Sequence, residues 1–213
     1  MIDKIKKKVN KLIGATAEEE ENQIVVIDPS MLGGPPEPDL RVIGLFADVV
    51  EDKVAELVHA LLYLNESNLQ QEEKDRRPIE FYLSTYGGSA DDMFAMYDVM
   101  RQVQKTTEIH TIGMGKVMSA GVLLLAAGTK GKRKIGKYCR VMLHSAIAGS
   151  HGPLPSLVNE MEALQGLQES YIDALVEETK MTKKDIKNML ERQVNVYLPA
   201  EEAVRLGIAD III

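Results

Sequence analysis

The 213-residue chain has no tryptophan, three phenylalanines and one cysteine. A lone thiol makes no intrachain disulfide, which suits a reducing, cytosol-like compartment. Cys139 lies in the apolar run YCRVMLH, where a small buried side chain is a better reading than a catalytic thiol. No apolar run approaches the roughly 18 residues that a membrane span needs. Positive charge is also scarce. Lys and Arg total 25 against 32 Asp and Glu, a net charge of −7, and no basic stripe offsets it, which argues against general nucleic-acid binding. The four histidines lack paired acidic or cysteine neighbours at ligand spacing, so no metal site is expected. GTKGKRK at 128–134 is basic but has no Walker arrangement, and no nucleotide site is expected in this chain.

Apolar residues make up 45% of the chain, ample for one large domain. Residues 1–39 read as an N-terminal arm. MIDKIKKKVNKLIG is basic and amphipathic, EEEE follows at 18–21, and DPSMLGGPPEPD is too rich in Gly and Pro for regular structure. The opening stretch lacks a secretory signal's uninterrupted apolar centre, so no export is expected. A terminal helix is preferred to one lying reversibly on a membrane surface.

From Leu40 strand and helix patterns alternate. LRVIGLF, PIEFYLS, EIHTIGMG and CRVMLHSAI read as strands, with IADIII as a last one. Helices are expected over 51–65, after Asp91 and Asp92, after Ser119, over about 156–179, over TKKDIKNMLERQ and over PAEEAVRLG. Thr182 and Asp185 stand near capping-box spacing. The alternation predicts an α/β fold for residues 40–213.

Two strand-to-helix turns carry the chemistry, STYGGSADD and GMGKVMSAG. Small residues there leave backbone N–H groups free to face a developing negative charge. Ser119 in the second turn is either a nucleophile or an N-cap. A hydroxyl nucleophile needs a base within reach. His59 falls in a helix, His110 inside a strand and His151 in a loop, whereas His144 closes RVMLH at a strand end, a position that projects into a cleft. Lys116, three residues before Ser119, could form a Ser–Lys dyad but reads better as a surface lysine.

YGGSADDMFAMYDVM, SAGVLLLAAGTKGKR, RVMLHSAIAG and YLPAEEAVRLGIAD, in this order, resemble the proteolytic subunit of the ATP-dependent Clp protease. The resemblance covers roughly residues 40 to 213. It implies the crotonase-like (ClpP-type) fold of repeated β-β-α units with a protruding helix-strand handle. By position it makes Ser119 the nucleophile, His144 the general base, and the N–H groups of Gly88 and Ala120 the oxyanion hole. The third triad position falls on Asn195, where the family ordinarily has aspartate. The resemblance further implies heptameric rings stacked in pairs, or mixed rings with a paralogue. Unfolded polypeptide substrates would be fed by an AAA+ Clp ATPase that uses the ATP, with no cofactor in this chain. The setting would be cytoplasmic, or plastid stroma if organellar, without stable membrane insertion.

Several positions depart from the family. Pro153 and Pro155 interrupt the handle, Gln193 and Val194 replace an acidic-basic pair between rings, and Glu80 stands where an aromatic of the ATPase-docking pocket is common, although Tyr82 is kept. These motivate an alternative, a weak or inactive subunit that modulates a mixed ring. A second alternative is a crotonase-type acyl-CoA enzyme, which shares the fold and the oxyanion hole but uses no nucleophile.

Overall fold

Three apolar runs form one parallel side of a sheet with seven strands among the described residues, running inward from its edge: β1 (Val42–Leu45), β2 (Ile79–Thr85) and β3 (Ile109–Met118). The computed structural model describes residues 40–191 and 194–213. The proposed arm 1–39, with its basic amphipathic and acidic segments, lies outside the described residues, as does Gln193.

Alternate residues of β2 are fully buried, Ile79, Phe81 and Leu83 among them, because helices cover one face of the sheet. Those helices are α1 (Glu51–Leu69), α2 (Ala90–Val103) and α3 (Ala120–Ala126). On α2, Met93, Met96, Tyr97, Met100 and Val103 are buried, as their three- and four-residue spacing requires. All seven residues of α3 are buried. It is a short apolar plug whose leucines each contribute about 1.5–3 kcal/mol. Helix α1 runs past its expected end at 65, and a short 3₁₀ turn, Glu73–Asp75, follows it.

β3 is longer than its sequence suggested. The GMG segment read as the end of a strand, yet β3 continues to Met118. Its first half pairs with β4 (Lys134–Ile135) and its second half with β5 (Arg140–Leu143), both parallel. Between these halves Gly115 adopts φ 66°, and the register against β2 shifts between Leu83 and Thr85. With ladder partners on both sides, the glycine becomes a bulge that bends the strand instead of ending it. β4 had no expectation at all; two residues long, it carries too little pattern to read. β6 (Val196–Leu198) pairs antiparallel with β5, and β7 (Ile211–Ile212) parallel with β4.

The longest helix, α4 (Leu154–Glu178), starts with Pro153 at its N-cap and Pro155 in its first turn, where the missing N–H costs nothing. Its first half is largely solvent-facing, with Leu154, Val158 and Met161 exposed; its second half is anchored by Tyr171, Ile172 and Leu175. Residues 145–153 form no strand within the chain. Glu178, buried at the base of α4, accepts hydrogen bonds from Tyr97 Oη (2.9 Å) and Lys130 Nζ (2.6 Å) and forms an ion pair with Arg101, whose Nη1 lies 2.8 Å away. Helix α5 (Lys183–Leu190) opens with the expected capping box, in which Thr182 and Asp185 each bond the other's backbone N–H. Helix α6 (Ala200–Arg205) leads to β7. Among the described residues no helix is long and apolar enough to cross a membrane.

Candidate active site

Ser119 has φ 52° and ψ −122°, and among the described residues it is the only non-glycine with positive φ. That conformation costs an L-residue on the order of 1–3 kcal/mol and persists only where its surroundings over-determine it. Here three hydrogen bonds do so. The Ser119 N–H donates to the Met142 carbonyl at 2.8 Å, and its carbonyl accepts from Val122 N–H at 2.9 Å and from Tyr171 Oη at 3.0 Å. Although Ser119 occupies the N-cap position of α3, its hydroxyl makes no capping bond. The capping role that its sequence context allowed is therefore not taken up.

Glycines make the turn possible. A Cβ on Gly87 would meet Ser119 Cβ at 2.5 Å, and one on Gly88 would meet the Val49 carbonyl oxygen at 2.2 Å. Both have positive φ, 104° and 151°. Val49 bridges this turn: its N–H donates to the Gly87 carbonyl at 2.7 Å and its carbonyl accepts from Ser89 N–H at 2.8 Å. Those bonds use the groups on either side of Gly88 and leave its own N–H outside the pairing. Ala120, the first residue of α3, likewise has an N–H with no intrahelical acceptor.

Gly88, Ser119, Ala120 and His144 line one cleft of about 540 Å³. Tyr86, Asp91 and Met93 lie on one side of it, Leu164, Leu167 and Tyr171 of α4 on another. His144 follows directly after β5, and its Nδ1 lies 2.6 Å from the Ser145 carbonyl. A carbonyl only accepts, so this bond requires the proton on Nδ1, and in the neutral ring that leaves the lone pair on Nε2. The ring is thus in the tautomer a general base requires.

Asn195 is not among the cleft-lining residues, and it is exposed. Its backbone is nonetheless close by. The β5–β6 ladder ends at Leu143 opposite Val196, so His144 and Asn195 are the residues just beyond its last rung. The side chain makes no hydrogen bond to the imidazole here; Ser145 holds that proton instead.

Other candidates are placed away from this chemistry. Lys116 Nζ sits over the Tyr86 ring, 4.5 Å from its centroid, and does not line the cleft. His110 bonds Glu108 at 2.8 Å, and His59 is exposed on α1. Cys139 is buried, and burial pushes its thiol up to about 11, the opposite of an activated nucleophile. Two contributors escaped sequence reasoning. The Ser145 carbonyl is backbone and has no signature in residue identity. Tyr171 lies in the helix expected over about 156–179, where an aromatic reads as core.

A hydroxyl on a strained turn, an imidazole and two N–H groups outside the backbone pairing share one cleft, the kinds of group on which acyl transfer draws. The class is a serine-type peptidase. The sequence profile of the family described as Clp protease matches residues 39–213. The chain is 32% identical over 173 residues to ATP-dependent Clp protease proteolytic subunit 1 of Prochlorococcus marinus subsp. pastoris, covering 81% of this chain and 83% of that one. It is 30% identical over 173 residues to the proteolytic subunit of Deinococcus radiodurans (81% and 80%) and 28% over 170 residues to that of Borreliella afzelii (80% and 81%). The chain belongs to the Clp protease family.

Proposed function

We propose that the protein is the proteolytic subunit of a compartmentalised peptidase and cuts unfolded polypeptides with Ser119. Ser119 Oγ attacks the peptide carbonyl while His144 Nε2 takes its proton. The N–H groups of Gly88 and Ala120 receive the oxyanion, and the imidazolium returns the proton to the leaving amine. Water then repeats the sequence on the acyl-enzyme. Asn195 is the third partner: its carboxamide oxygen can accept the Nδ1 proton once it swings toward the ring. In a serine protease, aspartate-to-asparagine exchange costs about 10⁴ in turnover because it favours the wrong tautomer. Here the Ser145 carbonyl already selects the Nδ1–H tautomer, so the loss falls chiefly on stabilisation of the imidazolium.

The relatives named as proteolytic subunits of an ATP-dependent protease support an oligomeric chamber served by a Clp ATPase. No cofactor is needed by this chain, because every step uses its own groups. Ring size, the particular ATPase and a cytoplasmic setting belong to the same reading.

The observation that carries it is the strained Ser119 opening onto a cleft shared with His144. A serine-directed phosphonate should add its mass to the Ser119 peptide, and Ser119→Ala should lose both the label and peptide turnover. An unlabelled wild-type protein would sink the proposal. A second reading, a weak subunit that modulates a mixed ring, is favoured by the exposed Asn195; it predicts ring formation with a paralogue but no label.

A further inference from the structure

The peptide unit between Ser119 and Ala120 has two working ends. Its N–H belongs to Ala120, the proposed oxyanion donor; its C=O belongs to Ser119. The planar trans peptide fixes these two dipoles relative to each other, so holding the oxygen aims the N–H. The oxygen is held twice, by Val122 N–H at 2.9 Å and by Tyr171 Oη at 3.0 Å. Val122 belongs to the same helix and moves with it. Tyr171 comes from α4, 52 residues along the chain, and so provides an outside reference for the turn.

We propose that Tyr171 is a positioning residue for the oxyanion hole, acting through the Ser119 carbonyl; this rests on the reading of Ser119 as nucleophile and Ala120 N–H as donor. Three features support it. The Tyr171 side chain is largely buried and lines the cleft, which sets its hydroxyl and the Ser119 carbonyl it bonds beside the site. Burial pushes its phenol well above the ordinary range, which keeps it a neutral donor at every working pH. A hydrogen bond at a peptide oxygen also polarises the attached N–H, because bonds in a chain strengthen one another. As negative charge builds on the substrate oxygen, that chain strengthens; in the ground state it matters less. Tyr171 therefore acts on turnover more than on substrate binding.

Tyr171→Phe removes the hydroxyl and keeps the ring. Removing an oxyanion donor outright costs about 10²–10³ in kcat, and loosening one should cost less, on the order of 10-fold, with KM unchanged. Affinity for a peptide boronate, which mimics the tetrahedral oxyanion, should fall by a similar factor, while binding of a product peptide stays the same. Replacing Tyr171 by 3-fluorotyrosine, which retains a hydroxyl, should restore both, and this separates the hydrogen bond from simple packing even if the Phe variant melts earlier. Unchanged kcat and boronate affinity in Tyr171→Phe, with Ser119→Ala inactive, would overturn the positioning role and leave the nucleophile standing. Turnover surviving in Ser119→Ala would overturn both.

Discussion

At the scale of single residues, the site is a set of backbone constraints around one hydroxyl. Gly87 has no Cβ because Ser119 Cβ occupies that space, and Gly88 has none because of Val49. Asn195 is where chemistry has most room to improve. An Asn195→Asp chain carries a carboxylate one residue beyond the Leu143–Val196 rung, and once turned toward His144 it can stabilise the imidazolium formed during attack. Peptide turnover should rise by about one order of magnitude, less than the 10⁴ of a site whose tautomer is also corrected. Steady-state kcat on a short fluorogenic peptide is the measurement; an unchanged rate would show that the Ser145 carbonyl remains the sole partner of Nδ1. The hydroxyl, the imidazole and the glycines were legible because each stands in a pattern of small residues or at a strand end. The partners of Ser119 and His144 were not, since a carbonyl acceptor has no residue type and a tyrosine far along the chain advertises only its hydrophobicity.

At the scale of elements, helix α4 has two jobs along its length. Its first half projects apolar side chains outward, and its second half is riveted by Glu178 to α2 and to the segment before β4 through Arg101, Tyr97 and Lys130. Glu178→Ala would remove the acceptor of the Tyr97 hydroxyl and the partner of two part-exposed cations, Arg101 and Lys130. Leaving a buried donor unsatisfied costs about 1–3 kcal/mol, a fall in Tm of roughly 5 °C for a domain this size. Glu178→Gln, which keeps an acceptor, should lose less. Thermal melts of the two variants compare these costs directly. Helices α2, α4 and α5 were readable from apolar spacing and caps. β3 was not, because a glycine that bends a strand and one that ends it look alike until the neighbouring strands are known.

At the scale of the whole molecule, acid sensitivity has an identifiable source. Asp210 sits before β7 and accepts two bonds from the Arg133 guanidinium, at 2.8 and 2.5 Å, and two from the N–H groups of Gly131 and Arg133. Burial pushes its carboxyl up, but the Arg133 hydrogen bonds and charge outweigh this and hold it below its ordinary value. The unfolded chain therefore binds the proton more readily, and this stabilisation, complete above about pH 4, is lost as pH falls through the folded value. Melting temperature should drop on acidification below that point, and Asp210→Asn should lower Tm at neutral pH while flattening the acid slope.

The three proposed triad positions leave the ends of three adjoining strands, β3, β5 and β6. Met118 pairs with Met142, and Leu143 with Val196. Spacing kept by a ladder changes only in whole rungs. One residue inserted anywhere in Arg140–Leu143 would turn the imidazole to the opposite side of the sheet, whereas lengthening a connecting loop would leave it untouched. Evolution can therefore decorate this enzyme freely between its strands, but it can edit the strands themselves only two letters at a time.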